Sequence, residues 1–125
     1  MTEIIVDVPD NEYLSSNDRM HWRPERNRKI ALRNRGMILA RQQSLEIPTP
    51  CFLIVKVGLR TAGRADPPNA EPTVKCLIDG IVNAGAIEDD SSAFIVGTLY
   101  QRGPRVKEKG WRRIHLIFHD QRVPF

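Results

Sequence analysis

The chain has 125 residues, with 19 Lys and Arg against 15 Asp and Glu and a net charge of +4. That length suits one domain around a single core and is short for two. No apolar run approaches the roughly 18 residues of a membrane span, no basic-then-apolar leader opens the chain, and Cys51 and Cys76 are isolated from each other and from any paired histidine, so a cytoplasmic protein with free buried thiols is expected, without membrane association or a zinc site.

Residues 3–8 (EIIVDV) read as a first strand, stopped by Pro9. Residues 9–23 are a polar connection rich in turn-forming Asn, Ser and Asp. Pro24 suits the first position of a helix, which is expected to run to about Leu45 and to end before Pro48. Its main apolar face is expected from Ile30, Ala31, Met37, Ile38 and Leu45. Leu32 and Leu39 project from nearly the opposite side, toward the core of the same chain or toward a partner subunit. Residues 51–60 (CFLIVKVGLR) have few polar positions and predict a central strand.

The segment from Thr61 to Pro68 holds glycine and two prolines and predicts a loop. A second helix follows, with Asn69 as its N-cap and Pro72 in the first turn, where amides lack helical partners. Val74, Leu77, Ile78 and Ile81 form its apolar face. Gly85 ends it as the residue just past the cap. Gly80 inside it costs about 1 kcal/mol relative to Ala, which suggests close packing against an element that the sequence does not name. After a Glu-Asp-Asp loop, residues 93–101 predict a third strand, residues 102–111 a basic connection, and residues 112–119 a fourth strand with Ile114, Leu116 and Phe118 on one face. The element order is therefore β-α-β-α-β-β, an α/β (α+β) single domain with a mixed sheet and helices packed on it.

Charge is unevenly spread. Eight basic residues fall between Arg19 and Arg41 and six between Arg102 and Arg113. Two such segments are either solvated faces or surfaces for a polyanion. The first helix and the 102–113 hairpin are the natural phosphate-contacting surfaces, with a marked salt dependence expected for binding. His21 beside Trp22 reads as a nucleic-acid-contacting loop or a structural turn, and Trp111 as a packed hairpin end rather than a base-stacking ring. His115 and His119 read as half-exposed sheet residues.

Between Asp66 and Asp90 the balance inverts. Six of the 15 acidic residues lie there (Asp66, Glu71, Asp79, Glu88, Asp89, Asp90), with Lys75 as the sole cation. Carboxylates within a cationic surround suit Mg²⁺-dependent cleavage of a phosphodiester. The metal polarises a phosphoryl oxygen and activates water, and it needs only one or two carboxylates beside waters and phosphate oxygens. A strand, a helix and a returning strand can bring the Asp66 loop and the Asp89–Asp90 loop to one sheet edge. Lys75 either stabilises charge on a transferring phosphate or simply pairs with Asp79 four residues on. An exposed acidic turn beside a capped helix is the alternative.

The segments RADPPN, PTVKCLIDGIVNAG and DD, with Asn17-Asp18-Arg19-Met20-His21-Trp22 and a basic helix upstream, resemble the core signature of the RusA-type Holliday junction resolvases. This family is common among bacteria and their phages, and the resemblance spans roughly residues 4 to 118. It implies a RusA-like fold and a homodimeric, Mg²⁺-dependent endonuclease that nicks opposed strands of a four-way junction. Asp66, Lys75 and Asp90 match its catalytic positions. Asp66, Asp89 and Asp90 match its metal-site positions, and Asp79 matches a more structural helix aspartate. The sequence departs at Pro68, where the family motif usually carries a second metal-binding aspartate, and Glu71 is the candidate substitute. Candidate DNA contacts are Arg19, His21, Arg23, Arg64, Asn69, Arg102, Arg105, Lys107 and Lys109. Two other functions stay open: a non-catalytic branched-DNA binder on the same fold, disabled at Pro68, and a small basic RNA-binding module.

Overall fold

Alternation sets the first strand. In β1 (Thr2–Pro9) Ile4, Val6 and Val8 are buried, while Glu3, Ile5 and Asp7 face outward. The computed structural model describes residues 1–58 and 66–121. These residues form four strands and two α-helices in the expected order, an α+β domain. No helix among them is long and apolar enough to cross a membrane.

The other strands are β2 (Cys51–Gly58), β3 (Ile95–Arg102) and β4 (Trp111–Asp120). The sheet is mixed, in the order β1-β4-β2-β3. β4 lies antiparallel between β1 and β2, and β3 runs parallel to β2 on the outer edge. The expected central position of β2 is observed, with hydrogen-bonded neighbours on both sides. The 102–113 hairpin does not form. A parallel β3 ends at the same end of the sheet as β2, so the chain must cross β2 before β4 can pair with it. Gly103 allows this close passage, since a Cβ there would lie 3.2 Å from Lys56 Cβ.

The first helix, α1 (Trp22–Gln42), starts two residues before Pro24 and stops three before Leu45. His21 is its N-cap, with Nδ1 accepting from Arg23 N–H at 3.3 Å. At the other end Ser44 takes a left-handed φ of 49°. Ser44 N–H donates to Arg41 O and Leu45 N–H to Ala40 O, closing a Schellman motif that ends the helix. The apolar face also differs from expectation. Leu32, Gly36 and Ala40 are buried, whereas Ile30 and Ile38 are 41% and 49% exposed.

The reason is the contact with α2 (Glu71–Asn83). A Cβ added at Gly36 would lie 2.3 Å from Leu77 O, and one at Gly80 would lie 2.0 Å from Arg33 O. Each helix presents a glycine to the other's backbone, and bulk would separate them. Small residues therefore select the buried stripe of α1, a signal that hydrophobic periodicity misses. On α2 the expected residues Val74, Leu77, Ile78 and Ile81 are buried, and Gly85 follows the cap at φ 82°. Asn69 is not the N-cap. Pro67–Ala70 form a 3-10 turn, closed by Asn69 N–H donating to Asp66 O at 2.9 Å, and Ala70 holds the cap position without a side-chain bond.

Both helices share one core with Ile4, Val6, Val8, Leu53, Val55, Val57, Ile114, Leu116 and Phe118. Cys51 and Cys76 are free and buried.

Candidate functional site

Glu71 and Lys75, one helical turn apart on α2, face β3 across a recess of about 160 Å³. Apolar residues of α2, β2 and β3 (Val74, Ile78, Leu53, Ile95) form its floor, and Asp90, Thr98 and Tyr100 complete the polar wall. The strand residues arrive by register. Thr98 pairs with Leu53 and Tyr100 with Val55, so both hydroxyls lie on the helix-covered face. A register shift at Cys51/Phe52 sets this phase.

Lys75 Nζ donates to Asp90 Oδ2 and, at 3.0 Å, to Asp79 Oδ1. The hydrogen bond to Asp90, then that to Asp79, raises the Lys75 pKa well above the ordinary ammonium value. The same ammonium holds the Asp90 carboxyl below its usual range, against the effect of burial. At neutral pH Lys75 and Asp90 therefore form an ion pair. Burial, then the nearby Glu71 carboxylate, pushes the Tyr100 phenol up to about 12. Tyr100 is therefore a neutral hydroxyl, able to donate to an anionic ligand.

Glu71 and Asp90 on one recess match in kind the one or two carboxylates that Mg²⁺ requires. Among the described residues, no group of three or more His, Cys, Asp or Glu converges on a single point. Further ligands to such an ion would be waters or phosphate oxygens. Asp66, in extended backbone at the start of the 3-10 turn, is exposed and makes no capping side-chain bond. It stands five residues before Glu71 and outside the recess wall. Asp89 is exposed beside Asp90 and also outside it. Pro68 is exposed and offers no donor.

The N-terminal connection lies against the start of α2. Ser16 N–H donates to Asn69 O at 2.9 Å, so Asn69 meets that connection through its backbone. Thr73, fully buried, bonds both backbone groups of Leu14. Arg28 donates to Tyr13 O and Asp10 O, and Arg35 forms two bonds to the Glu12 carboxylate, each 2.9 Å. Part of the basic run therefore fixes a loop rather than facing solvent.

Of the other expected contacts, Arg19 is exposed and bonds the carbonyl of Asp18, and Arg23 lies over the Trp22 ring. Arg102 ends β3, and Arg105, Lys107 and Lys109 lie in the crossing connection. Arg105 and Lys107 line a groove of about 1040 Å³ with Ile38 and Trp111. Trp111 is exposed there and does not pack a hairpin end. Arg64 lies outside the described residues.

Sequence reasoning did not single out Thr98 or Tyr100. Their alternation in the third strand was visible, but their place beside Lys75 depends on β3 being parallel to β2. No family model and no curated protein matches the chain.

Proposed function

We propose that this chain is a Mg²⁺-dependent, structure-selective DNA endonuclease of the RusA type, a homodimer that nicks four-way junctions in the cytoplasm. The observation that carries the reading is Lys75, held between Asp79 and Asp90 on the wall of a recess shared with Glu71. Glu71 and Asp90 would hold the ion, which when bound polarises a phosphoryl oxygen and eases ionisation of water. Lys75 supplies a fixed positive charge for a phosphate oxygen as negative charge builds there. Asp79, one turn along α2, keeps that ammonium oriented. Thr98 and Tyr100 offer neutral hydroxyls to the same phosphate.

The test is nicking of a synthetic four-way junction in Mg²⁺. Asp90→Asn, Lys75→Met and Glu71→Gln are each expected to slow nicking on the order of 100-fold or more, as loss of a preorganised electrostatic group does. Full activity of Glu71→Gln would remove Glu71 as the substitute for the missing aspartate at Pro68. A second reading, a non-catalytic branched-DNA binder, is favoured by Pro68 and by the engagement of Asp90 with Lys75. Junction binding with no nicking in either Mg²⁺ or Mn²⁺ would select it. Equal affinity for junction and linear duplex would count against both readings.

A further inference from the structure

The first turns of α1 border another recess, of about 410 Å³, walled by Trp22, Glu25, Arg26, Lys29, Ile30 and Arg33. These positions follow i, i+3, i+4, i+7, i+8 and i+11, one continuous helix face. Trp22 is 58% exposed. The Arg23 guanidinium lies 5.3 Å from its ring centroid and the His21 ring 5.5 Å away at a tilt of 35°. Arg23 takes one side of the indole, and the residue stays more than half exposed. Arg26 and Arg33 form no ion pair among the described residues, while Lys29 pairs with Glu25 at 3.4 Å.

A single exposed apolar side chain needs no explanation. Here an oriented indole, a neighbouring isoleucine and two guanidinium groups without an ion pair share one open helix face. We propose that this recess binds single-stranded nucleic acid, with an unpaired base stacked on Trp22 beside Ile30 and the strand's phosphates on Arg26 and Arg33. Every base has a π-face, so an aromatic platform within a cationic groove accepts any sequence. Arg26 and Arg33 are roughly 10 Å apart along the helix axis at 1.5 Å per residue, a spacing that follows a strand rather than one isolated anion. An anionic membrane is the competing partner for a basic helix carrying tryptophan. Burial in a lipid interface needs a broad apolar face, whereas this face has only Trp22 and Ile30 as apolar members and includes the Glu25 carboxylate. The inference rests on the nucleic-acid half of the proposed function and not on its chemistry.

The test uses the full chain with Trp111→Phe, which leaves Trp22 as its sole tryptophan. Its fluorescence is titrated with an oligothymidylate, a duplex, inorganic phosphate and anionic vesicles, all with a chelator present. Saturable quenching by the oligothymidylate, stronger than by duplex and absent with phosphate, is the expected result. By anisotropy of a labelled oligothymidylate, Trp22→Ala should weaken binding roughly 5- to 150-fold, the range of base–aromatic stacking, and Trp22→Phe should retain most of the affinity. Thermal melting read beside each titration confirms that the variants are folded. Unchanged affinity in Trp22→Ala overturns the proposal. So does a Trp22 response to vesicles without one to the oligonucleotide. With the chelator present nicking plays no part, so loss of the endonuclease reading and loss of the stacking site are separate results.

Discussion

Thr73 Oγ1 accepts from Leu14 N–H at 2.8 Å and donates to Leu14 O at 2.7 Å, with no part of the residue exposed. Thr73→Val keeps the shape and removes both bonds, leaving two buried backbone groups without partners. It should destabilise the protein by about 2–4 kcal/mol, at roughly 1–3 kcal/mol per unsatisfied group, as read by denaturant unfolding. Thr73→Ser should lose much less. The phenols provide a pH test. Burial is the first cause of the raised pKa of both Tyr13 and Tyr100, the latter reaching about 12. The neutral phenol is thus favoured in the folded state. Its contribution to stability is complete below the unfolded value of about 10 and is lost as pH rises through the folded values. A spectrophotometric titration should show both tyrosines ionising above pH ~10 in the folded protein and near it in urea.

The α1–α2 contact belongs to the scale of elements. Gly36→Ala and Gly80→Ala each raise intrinsic helix propensity by about 1 kcal/mol, yet each places a methyl group on a backbone carbonyl. Both should therefore lower the melting temperature, with a net cost of roughly 1–3 kcal/mol, as overpacking does. The sequence was well readable where the signal was local. The apolar run ended by Pro9 located β1, alternation located β4, apolar spacing located the inner face of α2, and Gly85 located its end. It misled where partners decide. On α1 the bulky Ile30 and Ile38 suggested a buried face, while Gly36 and Ala40 occupy the real one. Asn69 looked like a cap until Pro67 and Pro68 drew it into a 3-10 turn. For the candidate site, the i,i+4 pair of Lys75 and Asp79 was legible. The bond from Lys75 to Asp90 spans fifteen residues and depends on the path of the chain into β3.

For the whole molecule, net charge is a poor guide to where a polyanion would lie, because several cations already serve the fold. Arg28 and Arg35 hold the connection before α1, and Arg113 pairs with Asp7 across β1 and β4. Arg26→Gln or Arg33→Gln should reduce the slope of log affinity against log salt for DNA by about 1 each. Arg28→Gln should leave the slope unchanged while lowering stability. A fall in slope for Arg28→Gln equal to that for Arg26→Gln would show that position along the chain, not geometry, sets the contact surface. The paired glycines have a consequence beyond packing. They lock the helix bearing Arg26 and Arg33 to the helix bearing Glu71 and Lys75, backbone against backbone, so the interval between a gripped strand and the recess is fixed like the marks on a ruler. If the protein cuts DNA, a folded Gly80→Ala variant with its helices spread should shift the position of the nick rather than only slow it, and mapping the ends of the cleaved strand would read that displacement directly.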